Sequence, residues 1–403
     1  MALKVFHVLG YLASRYGGPP RAVLGLGHAM KKYGVISWWW ATASKEEQQE
    51  LAYLGNTAYL FTSRFPRSWY YSPELACELA KKIDKADILH LHQVWDYPIW
   101  VAAKLAHRKH KPYIVTPRGI FSHPWRYAGI KKQLYMKLIA RRFLNAATAV
   151  HAIVPFEIEG FKRVGIKAPY VIVPNGIDPQ EFEDMPYPDY AEKLWPPLKR
   201  RKVVLFMGRL SPEKGLDVLI SSWPSVVKEE PSALLVVAGP DHKGYGATLK
   251  ILAKKYDLDK TILFTGMVQG EAKKALLSNA DLFVLPSYSE GFSMAVLEAL
   301  AAGKPCVITT GCNFPEVQQA GAGYVVPTGD RAALSNALLK LLALTDVQRK
   351  RMGDRGRQLV MKNYTWDIIA RKMLIVYQCI IEGKPVPLYP SVICQTASKG
   401  QHG

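Results

Sequence analysis

No run of apolar residues in this 403-residue chain approaches the ~18–20 needed to cross a bilayer, so no spanning helix is expected. The first residues, Met1 to Leu9, lack a basic region and a small-residue cleavage site, and they read as a short strand rather than a secretory leader. Cysteine is scarce. Cys77, Cys306, Cys312, Cys379 and Cys394 form no C-x-x-C pair and have no His at metal-ligand spacing. That argues against a disulfide scaffold and for a reduced, cytoplasmic setting with free thiols. Internal repeats and low-complexity tracts are missing too. Acidic residues are in deficit, 33 against 53 Lys and Arg, which leaves a net charge of +20. Such a surplus attracts something anionic: a phosphorylated small molecule, a membrane surface or nucleic acid. Charge alone does not choose among them, but a helix-turn-helix and an aromatic-basic RNA motif are both lacking, so no nucleic-acid partner is expected.

What is present is an ordinary globular composition, 49% apolar and 21% charged, in a chain too long for one core. Single cores stop growing near ~250–300 residues, so two domains are expected. Lys4–Leu9 is a compact apolar run followed by the Gly-rich loop Tyr16–Arg21 and a helical segment near Ala22–Tyr33. This strand–loop–helix pattern recurs at Asp87–His92, Tyr113–Pro117, Ala147–Val154 and Tyr170–Pro174. A second series starts at Lys202–Met207 and continues through Ala233–Ala238, Thr261–Phe264, Leu282–Leu285, Pro305–Ile308 and Gly323–Val326. Alternation in both halves predicts an α/β fold of two doubly wound sheets with a cleft between them. The polar, Pro-rich stretch from Asn175 to Arg201 reads as the linker. The domains are therefore expected at 1–180 and 181–365, with 366–403 crossing back onto the first.

The richest segment is Pro286–Pro305, PSYSEGFSMAVLEALAAGKP, which follows a strand and opens a helix. Gly291 lets the backbone turn and approach a ligand closely. The N–H groups of Phe292, Ser293 and Met294 would then project from the helix N-terminus, where the dipole suits a phosphate. Glu290 before the helix and Glu298 in its second turn can each accept hydrogen bonds from sugar or ribose hydroxyls. A second segment, Gly208–Asp217, puts Arg209 and Lys214 on one short loop after a strand. Two fixed cations can neutralise a diphosphate without a metal. Asp257-Leu-Asp259 spells the D-x-D of metal-dependent transferases, but it sits in a polar loop with no supporting motif, so no metal or other cofactor is implied. Lys131–Leu144 reads as a basic amphipathic helix, suited either to an anionic membrane surface or to plain packing with a solvated basic face. His90 and His92 share one face of a strand, where packing is the expectation although His92 at the strand end could line the cleft. Trp38–Trp40 and Trp69–Tyr71 are expected to be buried.

The strings Pro286–Pro305 and Gly208–Asp217, in that residue chemistry, order and separation, resemble the signature of the family-4 retaining glycosyltransferases, which include sucrose synthase and many bacterial sugar transferases. The resemblance covers Lys4 to about Gly383. It implies the GT-B architecture, two Rossmann-like domains with the acceptor on the N-terminal one and a nucleoside-diphosphate sugar on the other. It further implies a retaining, metal-independent transferase acting on a glycan or lipid-linked acceptor, in polysaccharide, lipopolysaccharide or glycolipid biosynthesis. With the basic helix, it suggests a peripheral place on the inner face of the membrane. On this reading Arg209 and Lys214 clamp the diphosphate, Glu290 holds the donor sugar and Glu298 the ribose. Gly17 and Gly18 would line the donor site. Many family members carry a His at the position of Arg118, so either Arg118 replaces it or His123 reaches in. A catalytically silent sugar- or nucleotide-binding protein on the same fold is the other reading of these residues.

Overall fold

The computed structural model describes residues 2–122 and 129–391. The chain forms two compact units. One takes the residues up to Gly176 together with those from Trp366; the other is Ile177–Thr365.

The first unit is built on seven strands: β1 (Leu3–Tyr11), β2 (Val35–Thr42), β3 (Ala58–Phe61), β4 (Ile88–His92), β5 (Tyr113–Thr116), β6 (Ala149–Ala152) and β7 (Tyr170–Ile172). They pair in parallel in the order β3-β2-β1-β4-β5-β6-β7. A parallel sheet is covered on both faces, which is why these strands read as apolar runs. Their period of two splits the side chains. Val5, Ile88, Ile114 and Val171 pack on one face against Met373, Val376 and Tyr377 of the helix Trp366–Ile381. Phe6, Val8, Leu89, Leu91, Val115 and Val150 fill the other. Asp367, in the first turn of that late helix, accepts from Lys32 Nζ at 2.8 Å and Tyr33 Oη at 2.6 Å. The Trp366 ring occupies the space beside Gly25 and Gly176, where an added Cβ would lie 2.4 Å and 2.6 Å from ring atoms. Trp39 and Trp40 are buried, while Trp38 and Trp69–Tyr71 are only half-buried.

The second unit carries six parallel strands: β8 (Lys202–Met207), β9 (Ala233–Ala238), β10 (Ile262–Gly266), β11 (Leu282–Leu285), β12 (Cys306–Thr309) and β13 (Gly323–Val326). Their order is β10-β9-β8-β11-β12-β13. The stretch expected to be a linker is not one. Phe182, Ala191 and Leu198 are buried in this unit's core, so the boundary falls after Gly176 and the polar segment wraps the second unit. Three well-spaced apolar anchors are enough to seat a segment whose remaining residues face water.

The basic segment forms a helix from Ile130–Tyr135 through a π turn at Met136–Ala140 to Arg141–Asn145. Met136, Ala140, Phe143 and Leu144 are buried. Ile130, Leu134 and Leu138, spaced by four, are 85%, 55% and 49% exposed. Among the described residues no helix is long and apolar enough to cross a membrane. The described cysteines, Cys77, Cys306, Cys312 and Cys379, are free thiols, and Cys394 lies outside the described residues.

Candidate active site

In open α/β sheets ligands bind outside the carboxyl ends of the strands, where the strand order reverses. In the second unit that point lies between the neighbours β8 and β11. The loop after β8 carries Arg209 and Lys214, and the loop after β11 carries Pro286–Ser293. The two loops are locked together. Gly215 adopts φ 68°, and a Cβ there would meet the Pro286 carbonyl oxygen at 2.1 Å. Tyr288 N–H donates to the Glu213 carbonyl at 2.9 Å. Gly215 is thus the left-handed glycine that seats the two loops against each other.

The two cations expected to form the clamp are not equivalent. Arg209 is exposed and makes no ion pair among the described residues. Lys214 Nζ donates to Glu290 Oε1 at 2.6 Å, and Ser287 Oγ donates to the same oxygen at 2.6 Å. The backbone of Glu290 is fixed as well. Its N–H donates to the Gly311 carbonyl and its own carbonyl accepts from Asn313 Nδ2, both at 2.8 Å. Glu290 is only 8% exposed, so an aimed carboxylate and an aimed ammonium share one buried spot.

Beyond Glu290, Ser293 caps the helix Met294–Ala301 by accepting from Val296 N–H at 3.3 Å. The N–H groups of Phe292, Ser293 and Met294 have no acceptor among the described residues. Glu298 lies on this helix, 5% exposed, with Oε1 taking Lys273 Nζ at 2.8 Å from the helix Gly270–Asn279. Glu290 and Glu298 therefore have different cationic partners on different elements. Lys273 gave no signal in the sequence, because it sits in an unremarkable amphipathic helix. Asp257 and Asp259 precede β10, at the amino edge of the sheet, opposite the edge that carries Arg209, Lys214 and Glu290.

The first unit reverses its strand order between β1 and β4. After β1, Gly17 adopts φ 79° and forms the N-cap of the helix Gly18–Lys31, with nothing within 4 Å of a Cβ placed there. Its N–H donates to the Ser14 carbonyl at 2.9 Å and is spoken for, whereas Gly18 N–H has no acceptor among the described residues. Asp96, after β4, is buried with Oδ2 unpartnered against Gly10, and burial pushes its carboxyl up to about 7.

Arg118 follows β5 at φ 56°, a left-handed conformation that a non-glycine residue holds at a cost. Its Nη2 donates to His92 Nδ1 at 3.1 Å and its Nη1 to Asn175 Oδ1 at 3.5 Å. Since Arg can only donate, His92 Nδ1 is an acceptor and its proton sits on Nε2. His92 Nε2 lies 3.1 Å from His7 Nδ1, which must then accept, placing the His7 proton on Nε2. A second chain is fixed from the other end. The Val173 carbonyl can only accept, so His151 donates to it from Nε2 at 2.7 Å. Thr116 Oγ1 donates to His151 Nδ1 at 2.8 Å, His90 Nε2 donates to Thr116 Oγ1 at 2.6 Å, and Tyr377 Oη donates to His90 Nδ1 at 2.6 Å. These directions are those of neutral imidazoles, the form that burial favours for all four. Burial pushes His7 down to about 3 and His151 to about 4, and it holds His90 and His92 well below the usual imidazole range. His7, His90 and His92 bring one nitrogen each within 4.8 Å of one another. Both nitrogens of His90 and of His92 are committed to hydrogen bonds and a guanidinium ends the chain, so the cluster fits a proton-ordered relay and not a cation. His92, expected to pack, packs here and also holds Arg118. His123 lies outside the described residues.

Two family models match the chain in turn: Glycosyltransferase Family 4 over residues 16–181 and Glycosyl transferases group 1 over residues 192–359. The chain belongs to the family-4 glycosyltransferases, and its two units are the two Rossmann-like halves of the GT-B fold. It is 32% identical over 213 residues to a phosphatidyl-myo-inositol mannosyltransferase of Mycobacterium leprae, a match covering 52% of this chain and 54% of that protein. The chain thus spans about half the length of that relative. An uncharacterized glycosyltransferase of Methanocaldococcus jannaschii is 25% identical over 76% of this chain and 80% of its own length. Among solved structures, Anabaena HepE in complex with UDP and glucose superposes with a TM-score of 0.76 at 17% identity, over 92% of this chain and 98% of that one. At that identity the likeness speaks for the fold.

Proposed function

We propose that this chain transfers a glycosyl group from a nucleoside-diphosphate sugar to a hydroxyl acceptor, with retention and without a divalent metal. The observation that carries the reading is the convergence at one strand-order reversal of a free Arg209, the Lys214–Glu290 pair and the unengaged N–H groups of Phe292, Ser293 and Met294. Cations and N–H dipoles aimed at one place stabilise a departing diphosphate. In the proposed step the bond from the anomeric carbon to the β-phosphate oxygen breaks. The acceptor oxygen bonds that carbon on the same face, and its proton passes to the departing phosphate. Arg209 and Lys214 hold the diphosphate. Glu290 hydrogen-bonds the transferring sugar, and Glu298, with Lys273, faces the ribose. A thermal-shift screen over nucleotide sugars, including UDP-glucose and GDP-mannose, tests the donor, because only a ligand of the folded state raises the melting point. Full loss of transfer after chelation, restored by magnesium or manganese, would refute metal independence.

We further propose a lipid-linked acceptor at the cytoplasmic face of a membrane. The exposed stripe Ile130, Leu134 and Leu138 runs beside Lys131, Lys137 and Arg141, and a groove of about 380 Å³ lined by Trp100, Lys104, Leu138, Arg142 and Phe143 adjoins it. No Asp or Glu occurs between Asp96 and Glu157, a span that holds eleven Lys and Arg. Each basic residue near an anionic surface contributes ~1 kcal/mol, so a few suffice for reversible attachment. Sedimentation with vesicles should need anionic lipid and weaken with salt; equal binding to neutral vesicles would refute the idea.

A further inference from the structure

The Arg118 guanidinium offers five N–H donors. Two are used, and both acceptors, His92 Nδ1 and Asn175 Oδ1, are neutral. Nε is buried and has no partner. Among the described residues no carboxylate lies within 4.0 Å of the guanidinium. Glu157, whose charge acts on Arg118 from farther off, spends its oxygens on the N–H groups of Gly119 and of Ile153, the latter at 2.5 Å. Burial lowers the guanidinium to about 10, which leaves it charged at neutral pH. The residue is half-buried, and a half-buried cation without a close counter-charge is costly, whereas a merely structural residue here would be better served by a neutral amide. This cation is instead held at φ 56°, at the carboxyl end of β5, by an imidazole whose tautomer the arginine itself dictates. His7 Nε2 at the inner end of the relay is buried and unpartnered too, but it is neutral; the charge on Arg118 has no close counter-charge among the described residues, so that partner must come from outside the fold.

We propose that Arg118 is the receptor for an oxyanion carried by a sugar substrate, a carboxylate or a phosphate monoester, bound by the planar guanidinium fork. The proposal rests on the glycosyl-transfer reading for the sugar, and on the geometry alone for the anion. The two sources are a uronic acid and a sugar phosphate; a planar carboxylate and a tetrahedral phosphate both match two parallel N–H donors.

The test uses the full chain with glucuronate, glucose 6-phosphate and neutral glucose at equal ionic strength, read by thermal shift and by calorimetry. The wild type should bind at least one of the two anionic sugars more tightly than glucose, and which one it prefers tells the sources apart. Arg118→Gln should weaken that binding about 10–100-fold, the range expected for a lost charge-assisted hydrogen bond. Arg118→Lys should recover part of it. Without ligand, Arg118→Gln should melt at or above the wild-type temperature, since it removes an uncompensated charge. Lys214→Ala, in the other unit, should leave anionic-sugar binding intact while losing the nucleotide sugar, so the failure of one reading is separable from the failure of the other. Equal affinity of wild type and Arg118→Gln for the anionic sugars would overturn the proposal. So would no preference over glucose in the wild type, or an unliganded Arg118→Gln that melts several degrees low.

Discussion

Acidification should unfold the first unit well before the carboxylates that usually govern acid denaturation are protonated. The four relay imidazoles are neutral in the fold because burial lowers all of them, His7 to about 3 and His151 to about 4 from an ordinary 6.5. The unfolded chain therefore takes up protons first. The stability each neutral imidazole contributes is present above pH 6.5 and lost as pH falls toward the folded value. One unit below 6.5, His7 and His151 have each lost on the order of 1 kcal/mol, and His90 and His92 act in the same direction. Asp96 works the other way. Its folded value, about 7, lies above the ordinary 3.8, so it adds stability at low pH that is lost as pH rises through 7. Between pH 7 and 5.5 it returns about 2 kcal/mol. Four lowered imidazoles against one raised carboxyl leave the balance falling with acid, in a fold that a typical ~5–15 kcal/mol holds together. Urea unfolding at intervals from pH 8 to 5, with hydrogen exchange at β1 and β4 to identify the unit, should show the midpoint falling steeply below pH 6.5. A midpoint that stays constant from pH 8 to 5.5 would mean that the imidazoles are not held neutral, and the tautomer assignment would fall with it.

Removing Arg209 or Lys214 by substitution with Ala should cut turnover by ~10²–10³-fold in a folded protein, as loss of one donor to developing charge does elsewhere; near-normal steady-state rates would return both to the role of a solvated loop. Glu290→Gln should depress turnover more than nucleotide affinity, whereas Glu298→Gln should weaken calorimetric binding of the free nucleoside diphosphate by loosening Lys273 as well; the opposite pattern would reverse the two roles. Gly215→Ala should cost about 2 kcal/mol or more in denaturant unfolding, because it adds left-handed strain to a clash with the Pro286 carbonyl, and a neutral result would mean that the loop simply shifts. Asp96→Asn should raise stability at pH 8 but not at pH 4, where the native carboxyl is already protonated.

The features that sequence reading captured are those written in contiguous residues. Apolar runs such as Val203–Met207 and Leu234–Ala238 announce buried parallel strands, and Glu290 through Glu298 lie on one loop and the helix it opens. The relay is different in kind. His7, His92, Thr116, Arg118 and His151 come from different strands and the loops after them, and they meet only because β1, β4, β5 and β6 are neighbours in the sheet. No local spacing encodes that meeting. Lys273 was invisible for the same reason, since its partner Glu298 is 25 residues away on another helix. The segment Asn175–Arg201 misled because its polar majority outweighs the three residues, Phe182, Ala191 and Leu198, that anchor it.

The late helix Trp366–Ile381 has a consequence for the order in which the molecule can be made. Synthesis delivers the seven strands of the first unit, then the whole of the second unit, and only then the helix that covers Val5, Ile88, Ile114 and Val171 and whose Tyr377 closes the relay on His90. The second unit, whose two ends meet where Ile177 N–H donates to the Tyr364 carbonyl at 2.8 Å, is topologically complete before the first. Until Trp366–Ile381 emerges from the ribosome, the part of that face not covered by Leu26 and Met30 stays open, and the nascent chain carries an apolar surface for the time needed to translate nearly 190 further residues. At ~5–20 residues per second that interval is on the order of 10–40 s, during which the exposed apolar surface is open to misassembly.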